Sequence, residues 1–145
     1  MTSKPLTHAD AELVLKLYDT RREPVLRESR NAINSQFWPK SAADVFEVMN
    51  SMDHAMNLPF RQVGTYWEMV YGFAKHGIID ADYLMETCGE GLFFYAKIHP
   101  YLNEIREKGA PTAFQNVQWI TENCAEGKKR FELVKSRVAS VLATK

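Results

Sequence analysis

A chain of 145 residues, 46% hydrophobic and 12% aromatic, is long enough to bury a real core within one domain, which excludes a disordered or staple-dependent chain. Its 18 Lys and Arg balance 18 Asp and Glu, so the chain as a whole is no counterion for nucleic acid or an anionic membrane. No apolar run approaches the roughly 18 residues of a membrane span, and the opening MTSKPLTHADAE lacks a signal-peptide core, so a cytoplasmic protein with no membrane span is expected.

Residues 1–6 read as a loose tail. Thr7 with Asp10 three positions later has the form of a helix start, and Ala11, Val14, Leu15 and Tyr18 then carry an apolar stripe. Pro24 either ends that helix or opens a second one, on which Val25, Leu26, Ser29, Ala32 and Ile33 recur at helical spacing. Gln36 to Lys40 is a corner, because the residue before Pro39 is pushed extended. Ser41 with Asp44 opens a third helix carrying Val45, Phe46, Val48, Met49, Met52 and Met56.

The central element is Phe60 to Ile79. Val63, Tyr66, Trp67, Val70, Phe73 and Ala74 form one wide helical stripe, and Tyr71 widens it. Pro59 suits its first turn, Gly77 stops it, and Asp80 caps the helix that returns as the second arm of a hairpin. From Asp80 to Gly109 a helix kinked at Pro100 is expected, with Leu84, Cys88, Leu92 and Tyr95 on one row. A turn at 110–112 leads to a long amphipathic helix over residues 112–143. With no alternating runs of strand length, the fold class is all-α: a compact single-domain bundle of six to seven helices over 1–145.

The last helix carries a specific pattern. Val117, Ile120, Cys124, Gly127, Phe131, Val134, Val138 and Val141 fall at alternating spacings of three and four, which is a heptad seam with one glycine defect. A continuous helix of that length, roughly 48 Å at 1.5 Å per residue, outruns a domain of roughly 38 Å. It therefore either breaks near Gly127 and folds back, or projects Phe131, Val134, Val138 and Val141 toward a partner. A homodimer through this seam is the expectation.

The chemistry-bearing residues are sparse. His54, His76 and His99 have Ser51, Phe73 and Ala96 three positions before them, so no Glu-x-x-His pair exists for a di-iron site. Cys88 and Cys124 stand 36 apart with no metal-ligand spacing, which fits buried thiols in a reducing compartment. No nucleophile elbow, Walker loop or dinucleotide fingerprint occurs. No catalytic residue, metal or cofactor is therefore assigned. Basic residues cluster early (Arg21, Arg22, Arg27, Arg30) and late (Lys128, Lys129, Arg130, Lys135, Arg137), but glutamates interleave them, so a nucleic-acid partner is not expected. Tyr66, Trp67, Tyr71 and Tyr95, with His99 beside them, either pack the core or line a small-molecule pocket between the central helix and the next.

YWEMVYGFAKHGIIDADYL and FFYAKIHPYLNEIREK, with LYDTRREPVLRESR before them, resemble short bacterial helical proteins of the family called domain of unknown function 4760. The resemblance runs from Leu17 to Cys124 and rests on Tyr66-Trp67, on Gly77 to Asp80, and on Pro100 and Arg106. Several such proteins carry a membrane helix ahead of this domain. The resemblance implies a helical fold and brings no activity or site residue. Residues and resemblance together point to a non-enzymatic interaction or regulatory module with a protein partner or itself, the alternative being a small-molecule-binding bundle.

Overall fold

The structure, a computed structural model, describes residues 5–145; of the expected tail, residues 1–4 lie outside the described residues, and Pro5 and Leu6 are exposed coil. The described residues form nine α-helices and one 3-10 turn, with no strand. They are α1 (His8–Thr20), α2 (Pro24–Gln36), α3 (Ala42–Asn50), α4 (Asn57–Lys75), α5 (Ala81–Thr87), α6 (Gly91–Ile98), the 3-10 turn His99–Tyr101, α7 (Leu102–Glu107), α8 (Gln115–Asn123) and α9 (Ala125–Ala143). The all-α bundle is as expected, and its segmentation is finer. The region from Asp80 to Gly109 divides into three helices around the 3-10 turn, and the C-terminal region into two.

Helix starts follow local chemistry. Thr7 and Asp10 form a reciprocal capping box, Glu23 accepts from Val25 and Leu26 ahead of Pro24 at the first helical position, and Ser41 accepts from the Asp44 N–H. Helix α4 is the hub, packed against α2, α3, α5, α6 and α8. It buries Phe60, Val63, Tyr66, Trp67, Val70, Tyr71 and Ala74. Gly77 ends the hairpin's first arm at a φ of 72°, and Asp80 accepts from the Tyr83 N–H to start the second.

Two faces differ from the sequence pattern. Helix α1 buries Asp10, Val14 and Leu17, whereas Leu15 (69% exposed) and Tyr18 point outward. Helix α3 stops at Asn50, so Met52 is 75% exposed and the stripe expected to pass through it ends early.

The C-terminal helix breaks at Cys124, not at Gly127, and the continuous helix over 112–143 is not formed. Cys124 is extended (φ −114°, ψ 126°), caps α9 by accepting from the Gly127 N–H, and lets α9 fold back along α5, α6 and α8. The seam is thereby covered by its own domain. Phe131 and Val138 are buried, Val134 and Val141 half-buried, and the Phe131 ring lies 5.2 Å from those of Tyr95 and His99. Most of the apolar surface of this row is thus covered within the chain itself, that of Val134 and Val141 only in part.

Candidate functional site

The aromatic residues proposed for a pocket fill the space between α4 and α6. Trp67 and Tyr71 stack at 5.6 Å and 23°, and Tyr66 meets Trp67 edge-on at 4.9 Å. Gly91, the first residue of α6, closes the gap: a Cβ there would sit 2.5 Å from the Tyr71 hydroxyl and 2.7 Å from the Trp67 indole. The hydroxyls of Tyr66 and Tyr71 donate to the backbone carbonyls of Leu17 and Cys88, so neither is offered to a ligand. Burial pushes the Tyr66 hydroxyl up to about 12. Tyr95 packs among Phe114, Phe131 and His99, and His99 alone of the five is exposed. These rings pack on one another and on the Gly91 backbone. The buried Trp67 Nε1–H has no hydrogen-bond partner.

Beside this cluster lies an ionic network that sequence spacing could not reveal. Glu90, between α5 and α6, takes two hydrogen bonds from Arg30 (3.0 and 2.6 Å) and one from Asn34 (2.9 Å). Arg21 stands 3.6 Å from the same carboxylate, and Arg30 also donates to the Arg21 carbonyl. Burial alone would raise the Glu90 carboxyl, but these hydrogen bonds and guanidinium charges outweigh it and hold it below its ordinary value. Every member is engaged within the network, which ties the α1–α2 turn to the start of α6. The early basic cluster is thus partly internal, and late in the chain Lys129 and Arg130 pair with Glu126, and Lys135 with Glu132.

The remaining nucleophilic groups are masked. Burial raises the Cys88 thiol, and burial together with donation to Asp82 at 2.9 Å pushes Cys124 up to about 12. Lys97 is 2% exposed and donates to the carbonyls of Ile33 (2.7 Å) and Asn34 (3.2 Å), two of the orphan acceptors in the last turn of α2. Its ammonium also lies 3.8 Å from the Trp38 ring centre and 4.5 Å from that of Phe93. Burial, with the charge of Lys145 adding, pushes it down to about 7. Among the described residues no three His, Cys, Asp or Glu side chains converge as a metal site would need, and no helix is long and apolar enough to cross a membrane.

Among the open surfaces of the described residues, two border α4 and α9. The outer face of α4 exposes Leu58, Arg61, Thr65 and Met69, with a hollow on either side that reaches Thr65. The hollow toward α3 and α8 is walled by Met49, Phe60, Gly64, Ala113 and Phe114. Phe114 holds a left-handed backbone (φ 61°) unusual for a bulky residue, and its ring is clamped by Phe60 and Phe94. The second surface is a groove of about 600 Å³ between α9 and the α5–α6 turn.

No curated protein and no solved structure matches the chain. The sequence profile of the family described as Domain of unknown function (DUF4760) matches residues 6–124, from the residue before the first cap to the break before α9. The chain belongs to that family.

Proposed function

We propose that this chain is a bacterial, cytoplasmic, non-enzymatic interaction module that docks a protein partner on the outer face of α4. The observation that carries this reading is the exposed apolar content of the most central helix: Leu58 and Met69 are each 45% exposed, beside an apolar hollow over Gly64. Both keep nearly half of the side chain in solvent although the helix packs on five neighbours. Phe114 adds a second argument. A left-handed conformation costs a non-glycine residue roughly 1–2 kcal/mol, and such strain clusters at active sites, ligand clamps and switch regions. The masked thiols and the self-contained Glu90 network leave little for catalysis to use. Two buried free cysteines fit a reducing compartment.

A photo-crosslinking residue at Thr65, with the same probe at the exposed Ser136 on α9 as reference, tests the reading in cells. The expected result is one defined adduct from Thr65, absent from Ser136 and lost on Met69→Lys. Its mass distinguishes a second copy of this chain from a different protein. Identical adducts from both positions, or none from Thr65, would refute the docking face.

A further inference from the structure

The groove between α9 and the α5–α6 turn has a charge arrangement that the fold does not require. One wall comes from the family-matched segment and carries Glu86, Thr87, Gly89 and Glu90. The other is supplied by α9, which lies beyond that segment. Arg130, Leu133, Val134 and Arg137 recur there at i, i+3, i+4 and i+7, so one face of α9 lines the groove from end to end. Phe93, half-buried, adds apolar surface, and Leu133 is 54% exposed.

Carboxylates thus stand on one wall and guanidiniums on the other, yet among the described residues no ion pair spans the groove. Glu90 is committed to Arg30 and Asn34, and Arg130 is held by Glu126 at 3.2 Å on its own helix. Among the described residues, no hydrogen bond or ion pair involves the Glu86 or Arg137 side chain. Opposite charges held apart over an apolar strip match a molecule with a cationic end, an anionic end and an apolar body. A volume of about 600 Å³ lies within the usual range for small-ligand sites, roughly 300–1,000 Å³.

We infer that this groove binds a small zwitterion with an apolar side chain, the chemistry of an apolar α-amino acid or a short apolar peptide. Its ammonium group faces Glu86, its carboxylate faces Arg137 with Arg130 beside it, and its side chain lies on Phe93, Leu133 and Val134. The site therefore needs α9, which lies beyond the family-matched segment, together with Glu86 and Phe93 within it. It does not depend on the docking face of α4, which lies on other residues.

Calorimetric titration of the full chain with leucine, dileucine and trileucine tests the assignment, since the series steps the distance between the two charges. Saturable binding of at least one member is expected. N-acetylation or C-terminal amidation of that ligand should weaken it at least about tenfold, as should Glu86→Gln or Arg137→Gln, each removing one charge-assisted contact. Both side chains are exposed, so these variants keep the fold, which circular dichroism checks. The member that binds best identifies a free amino acid or a peptide as the ligand. No saturable binding by any of the three at millimolar concentration, or binding indifferent to both variants, would overturn the site.

Discussion

Gly127 is where the sequence pattern shows a defect in the seam, and the structure explains it. Because the chain breaks at Cys124, the first turn of α9 lies directly against the last turn of α8. A Cβ on Gly127 would fall 2.2 Å from the Ile120 carbonyl oxygen, 3.0 Å from its carbon and 3.4 Å from Cys124 Cβ. The nearest atoms are backbone, and the same carbonyl accepts the Cys124 N–H at 3.2 Å, so no side-chain rotation relieves the contact. Gly127→Ala must therefore move α9 by about 1 Å against Tyr95 and His99. Overpacking of this kind costs roughly 1–3 kcal/mol or more, against a helix-propensity gain of at most about 1 kcal/mol. A net loss of about 1–2 kcal/mol is expected, or a fall of about 0.5–1 M in the urea midpoint at a slope near 2 kcal/mol/M. Gly64→Ala is the matched control. Its new methyl meets only Phe94 at 3.6 Å, an ordinary contact, so it should gain up to about 1 kcal/mol. A Gly127→Ala protein as stable as wild type would refute the joint described here.

Trp67, 3% exposed and stacked on Tyr71, should cost about 3–5 kcal/mol when cut to Ala; unfolding within about 1 kcal/mol of wild type would contradict its place in the core. Glu90→Gln leaves Arg30 and Arg21 without their carboxylate and should cost about 2–3 kcal/mol at neutral pH, below a fully buried pair because the side chain is 23% exposed. The depressed Glu90 pKa means that this stabilisation is present above the unfolded value and lost as pH falls, so chemical unfolding should show the gap between wild type and variant narrowing below about pH 4. Lys97 behaves in the opposite sense. With a folded value of about 7 under an unfolded one near 10.4, the unfolded chain binds more protons between them, so wild type should gain stability relative to Lys97→Met from pH 7 to 9. A difference that stays flat over that window would show that the hydrogen bonds to α2 and the Trp38 ring keep the ammonium fully charged.

What the sequence made legible was local. Thr7 with Asp10, Pro24, Ser41 with Asp44, Gly77 and Asp80 each act within a few residues, and each start or stop lies where its chemistry puts it. The larger misses depend on distant partners. Cys124 ends α8 and starts α9 partly because Asp82, 42 positions earlier, accepts from its thiol and from the Glu126 N–H. The heptad pattern was real as a buried stripe but could not say which surface covers it. Likewise the sequence left Tyr66 and Tyr71 open between core and pocket, because the carbonyls that take their hydroxyls, those of Leu17 and Cys88, lie 49 and 17 positions away. The Glu90 network joins residues 56 to 69 positions apart, and no spacing rule reaches that far.

The start of α8 carries a consequence for the order of assembly. Glu68, on α4, accepts from the N–H groups of Asn116 and Val117 at 3.0 and 2.9 Å, and the Asn116 side chain returns a bond of 2.9 Å to the Glu68 carbonyl. Nine residues are too few to hold a helix in water on their own, and nucleation is the costly step. Here the nucleus is supplied from outside: a carboxylate on an already formed helix satisfies the second and third donors of α8 and favours its dipole. Helix α8 is then a late event, waiting on α4 and on closure of the intervening loop of nearly fifty residues. Helix α9 packs on α8 as well as on α5 and α6. The last two helices are therefore expected to close late, and the groove lined by α9 with them, which pulsed hydrogen exchange during refolding would check.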